Sequence, residues 1–125
     1  MAVSVVDIAS PSGLKKLRDT DMAGAVVAVD ATSGKLHSIV VDNTANAAAV
    51  SYLKLWDAAS GSVTLGTTAP DWVFKITAAK KQTIVLHDDG VAYSTALTAA
   101  CVTTAGTAGT TGPTSDVIVE IIFET

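Results

Sequence analysis

Short apolar runs that alternate with polar residues recur along the chain from Gly24 onward, separated by clusters of Gly, Asp, Ser and Thr. A period of two puts successive side chains on opposite faces of an extended strand. The pattern predicts strands at residues 24–31, 35–42, 49–57, 72–78, 82–88, 91–103 and 116–123, with a break near Ala96. Val3-Ser4-Val5-Val6-Asp7-Ile8 is a candidate eighth strand. Repeated short strands with turn residues between them are the mark of an all-β sandwich. The expected fold is therefore a single-domain antiparallel β-sandwich, jelly-roll-like, over residues 23–125, preceded by an extended N-terminal arm, residues 1–22.

The arm is set apart by the breaker cluster Ser10-Pro11-Ser12-Gly13 and by Leu14-Lys15-Lys16-Leu17-Arg18-Asp19, which holds three of the eight basic residues. That composition predicts a solvated leader with a short helical turn, or an arm that docks on a neighbour, instead of a core strand. The stretch 44–60 admits a helix, because Asn43-Thr44 can cap one and alanines follow. The alternation of Tyr52-Leu53-Lys54-Leu55-Trp56 favours the strand.

Parity along each run says which face is inside. Trp72, Phe74 and Ile76 share one face and predict burial there. In the last run Val117, Val119, Ile121 and Phe123 oppose Ile118, Glu120 and Ile122, so both faces are largely apolar. A strand of that kind is covered on both sides, by a central position or by another subunit, which marks Ile118 and Ile122 as interface candidates. Residues 31–35 and 88–90 carry turn chemistry and predict hairpins. The breaks at 58–71 and 103–115 are longer, and the second is a Gly/Thr/Ala stretch expected to run over the surface.

Composition sharpens this picture. Charged residues are only 16% of the chain while hydrophobic ones are 49%, so charge-driven disorder is excluded and solubilising groups are sparse. The formal charge of −4 gives no general attraction to nucleic acid or to an anionic membrane. Cys101 stands alone, so no intrachain disulfide forms, and with two His it does not make the usual zinc set. The first residues lack a basic leader and no apolar run reaches membrane-spanning length, which predicts a protein made and folded in a reducing cytoplasm.

Candidate chemistry is thin. His37 and His87 lie in alternating strands, and His87 points away from its neighbour Asp88, so neither predicts a nucleophile–base pair. Asp88-Asp89-Gly90 and Asp42-Asn43 with Asn46 lack the ligand spacing of a calcium loop. Gly106, Gly109 and Gly112 are not followed by the Lys-Ser/Thr of a phosphate cradle. Cys101, in an Ala/Val setting, reads as a small core residue. Tyr52 and Trp56 flank Lys54 on a partly polar face and are candidates for stacking on a sugar or packing on a protein partner, with core packing as the alternative. Neither an enzyme nor a cofactor is expected.

Val41-Asp42-Asn43-Thr44, Tyr52-Leu53-Lys54-Leu55-Trp56-Asp57-Ala58 and Leu65-Gly66-Thr67-Thr68-Ala69-Pro70-Asp71 resemble a pattern in small tailed-bacteriophage virion proteins. The resemblance continues through Val91–Leu97 and the Thr/Ala/Gly loop, covering roughly residues 35–123. It implies a β-sandwich structural protein of the virion, a capsid decoration or cement protein on the head surface, most simply a homotrimer made in the host cytoplasm. The implied partners are the major capsid protein and other copies of the chain, with no role for nucleic acid or membrane. Lys15, Lys16 and Arg18 are then candidates for contact with acidic coat surface. A tail-associated or fibre module that binds host carbohydrate through Tyr52, Trp56 or loop residues is the alternative.

Overall fold

The computed structural model describes residues 3–7 and 13–125. Ten strands form among the described residues: β1 (Val3–Asp7), β2 (Leu14–Asp19), β3 (Val27–Asp30), β4 (Gly34–Asp42), β5 (Ser51–Trp56), β6 (Trp72–Ile76), β7 (Lys81–Val85), β8 (Val91–Tyr93), β9 (Leu97–Val102) and β10 (Ile118–Glu124). They build two antiparallel sheets. One is six-stranded, in the order β1-β2-β10-β4-β7 with β8 also on β4, and the other is four-stranded, β3-β9-β5-β6. Their inner faces close over a single core that includes Leu17, Leu36, Ile39, Leu53, Leu55, Ile76, Leu97, Ile121 and Phe123. The domain is an all-β sandwich.

The pairings are nested: β2 with β10, β3 with β9, β4 with β7 and β8, and β5 with β6. Chain ends therefore meet chain ends, and each sheet is completed within itself, one where β10 also pairs β4 and the other where β9 pairs β5. The turn segments at 31–35 and 88–90 are consequently not hairpins. The first leads from β3 in one sheet to β4 in the other, and the second is a kink between β7 and β8, which both lie against β4. Gly90, at φ +78, supplies the left-handed residue that kink needs. Turn chemistry reports a change of direction and does not say which strand comes next.

The arm expected over residues 1–22 is corrected in part. Residues 14–19 are a strand between β1 and β10, with Leu17 fully buried. Charge concealed it: Lys15, Lys16 and Arg18 surround its one fully buried leucine. Residues 1–2 and 8–12, with Ile8 and most of the breaker cluster, lie outside the described residues.

Strand β9 is buried at every position. One side faces the core, and the other is covered by the chain's own loops. Beneath residues 58–71, Trp56, Val63 and Ala100 form a small second core with Val26, Ala58 and Leu65 packed on it. A buried polar knot ties the ends together: Ser51 Oγ (2.9 Å) and Asn46 Nδ2 (3.0 Å) donate to Asn43 Oδ1, and the Ser115 amide donates to Asn46 Oδ1 at 3.0 Å. These bonds fill the groups that a buried amide must satisfy.

Candidate functional site

The six-stranded sheet ends on β1, whose outer edge has no strand beside it among the described residues. The register places Val5 opposite Leu17 and Val3 opposite Asp19, on the inward-facing rows, and Val6 opposite Lys16 on the outward face. Val3, Val5 and Val6 are nevertheless 41%, 47% and 55% exposed. Residues 3–6 are all exposed, so both faces of the strand meet water. These three are most of the large exposed hydrophobic residues among those described, the others being Val73 and Val85.

The outward face of this sheet carries two cross-strand rows. Val6, Lys16, Ile122, Ser38 and Val85 make one, and Ser4, Arg18, Glu120, Val40 and Thr83 the other. Lys16 pairs with Glu120 in a salt bridge, and Arg18 is exposed between Ser4 and Glu120. Lys15 falls on the inward-facing row with Phe123. Of the three basic residues singled out by sequence, Lys16 and Arg18 therefore share a surface and Lys15 does not. Ile118 and Ile122 lie on that same outward face, half-buried. Their strand is central, which answers part of its two-sided apolar character without a second subunit.

Tyr52, Lys54 and Trp56 do share a face of β5, as parity requires, but it is not a free one. Trp56 is 1% exposed and its indole Nε1 donates to the Thr68 carbonyl at 3.0 Å. It is a core residue under loop 58–71, so of the two readings of Trp56 core packing is the one that fits and stacking on a ligand is not. Tyr52 is half-buried. Lys54 is fully buried, and its Nζ donates to the carbonyl oxygens of Gly106 (2.5 Å) and Gly109 (3.4 Å). Burial pushes its pKa down. The Gly/Thr/Ala loop is thus pinned over the sheet by a lysine, a contact no local pattern announces.

Other candidate groups have structural duties. Asp57 Oδ2 accepts from the Ser94 amide (2.8 Å) and hydroxyl (3.1 Å), while Oδ1 accepts from the amides of Thr95 (2.8 Å) and Ala96 (3.4 Å). Three consecutive N–H groups turned toward one carboxylate explain the break between β8 and β9. The Ser94 amide leads the bonds that hold this carboxyl below the usual range. Asp30 accepts the Tyr93 hydroxyl at 2.7 Å, and burial first, then this bond, pushes the phenol pKa up. The Cys101 thiol is buried and pushed up to about 12 by desolvation, so it stays protonated and inert. His37 Nε2 lies 3.8 Å from Glu124 Oε2, and His87 Nδ1 accepts the Asp89 amide at 3.3 Å, so the two histidines serve separate local contacts.

The surface with interaction chemistry is therefore the β1–β2 edge. Sequence marked its basic residues and the Val-Ser-Val-Val run, but not that they adjoin. No protein-family model and no curated protein matches the chain.

Proposed function

We propose that this protein is a capsid decoration, or cement, protein of a tailed bacteriophage, which binds the assembled head as a homotrimer and stabilises it. The observation that carries this reading is the β1 edge, unpaired among the described residues, with exposed valines on both faces and flanked by the exposed Arg18 of β2. An apolar edge of this kind is a template for another chain. A subunit that binds assembled shell better than loose coat protein stabilises the shell by mass action.

The nested order supports the finer reading of the fold as a jelly roll. Leaving β1 aside, β2-β10-β4-β7 faces β3-β9-β5-β6, as expected of one long antiparallel ribbon rolled into two sheets. Jelly rolls are frequent among viral capsid domains, and this is an argument by analogy of fold. The alternative, a carbohydrate-binding tail module, loses the flat face of Trp56 and is left with Tyr52 and loop residues.

The test is to add purified protein to heads that lack it and measure bound copies and the temperature at which the heads open. Saturation at a symmetry-fixed copy number with a raised opening temperature is expected. Heads that neither bind nor gain stability would contradict the proposal.

A further inference from the structure

We propose that the free edge of β1 takes up an extended segment of a partner protein as an added strand, and that the segment alternates apolar with acidic residues. Strand addition draws affinity from backbone hydrogen bonds and specificity from alternate side chains. Both parts are present. Among the described residues no strand pairs the outer edge of β1. Natural sheet edges are blunted by lysines, prolines or bulges, yet β1 reads Val-Ser-Val-Val with its only charge at the terminal Asp7.

The side chains define the partner. On one face an added strand meets Val3 and Val5, which calls for apolar residues there. On the other it meets Ser4 and Val6, with Arg18 and Lys16 in the next strand. With strands about 4.8 Å apart, those cations stand roughly 10 Å from the added strand, a span that an arginine and a glutamate side chain cover together. Glu120 already engages Lys16, while Arg18 is exposed. An acidic residue on that face completes the row.

Charge also argues against a second copy as the occupant. Antiparallel self-pairing centred on Val5 sets Val6 of one copy opposite Ser4 of the other. The row would then read Lys16, Val6, Ser4, Arg18 across the seam and would leave the exposed Arg18 without an acidic group facing it from that side. The inference rests on the decoration reading only in naming the coat protein as donor of the segment.

The probe is a capped peptide of alternating Val and Glu, with a Val/Lys peptide as its counterpart, titrated into the full-length protein while amide hydrogen exchange is followed. The Val/Glu peptide is expected to slow exchange of residues 3–7. Arg18→Glu should weaken its binding by up to about fivefold at low salt. Val5→Lys should abolish the peptide effect while β2 amides of the free variant stay protected, which shows that the sheet survives. Equal binding of both peptides, or no protection of β1 by either, would overturn the proposal. So would concentration-dependent self-association of the free protein that Val5→Lys abolishes, since the occupant would then be a second copy. If Val5→Lys protein still saturates heads, strand addition fails and the decoration reading stands. If wild-type protein does not bind heads, the decoration reading fails whatever the peptide does.

Discussion

Replacing Asp57 by Ala removes the one carboxylate on which Ser94, Thr95 and Ala96 converge, through four hydrogen bonds of 2.8 to 3.4 Å. An intramolecular hydrogen bond is worth about 0.5–1.5 kcal/mol net, and bonds to charged groups more. The cluster is reachable by solvent, so the low end applies, and the sum is about 2–3 kcal/mol. In a domain of this size that lowers Tm by roughly 10 °C. Asp57→Asn should cost nearly as much, because its NH₂ group turns a donor toward donors. The pH dependence follows from the lowered pKa: the carboxylate's contribution is complete above the unfolded value near 3.8 and is lost as pH falls through the depressed folded value. Urea unfolding of both variants between neutral pH and pH 3 measures this. If Asp57→Asn lies within about 0.5 kcal/mol of wild type, or keeps the wild-type acid dependence, the clamp does not stabilise the fold as argued.

Three further predictions concern what parity alone does not give. Lys54 is a buried cation whose lowered pKa favours the neutral amine in the folded state, so its penalty is full at low pH and fades as pH rises from the folded value to 10.5. Lys54→Met should therefore leave stability unchanged or raise it by about 1 kcal/mol, flatten the alkaline limb, and speed hydrogen exchange across residues 103–115; a loss above about 2 kcal/mol would contradict this. Trp56→Ala should cost about 3–5 kcal/mol by emptying the second core, read by denaturant unfolding, whereas an exposed sugar-stacking residue would cost little. Gly34→Ala should be strongly destabilising in a thermal melt, because the new Cβ would overlap the Glu124 carbonyl oxygen and stand 2.6 Å from the Tyr93 hydroxyl.

Much of the sandwich was legible because its strands alternate cleanly. The run 35–42 became β4 (Gly34–Asp42) nearly residue for residue, and the break near Ala96 falls between β8 and β9. The expected strand at 24–31 shrank to Val27–Asp30, because Gly24 lies against Thr110 and Gly112 instead of a strand. The faces of β5 were also assigned correctly: Leu53 and Leu55 point inward, opposite Cys101 and Ala99. What parity could not supply is which chain covers the other face. Lys54 and Trp56 are outward-facing on the sheet and buried nonetheless, because loops 103–115 and 58–71 fold back over them. The same limit applies to assembly. Apolar residues on both sides of residues 116–123 pointed to a central position or to a subunit contact at Ile118 and Ile122; the strand is central, and three of the five large exposed hydrophobic residues among those described cluster on β1 instead. Strand order, a long-range property, decides that, and no run of residues encodes it locally.

Decoration is a location on the particle, so a reconstruction of the virion with the protein's copies counted decides for or against it. Many copies are expected at symmetry-equivalent positions on the head, each with β1 against coat protein. A few copies at the tail, or none on the particle, would contradict it.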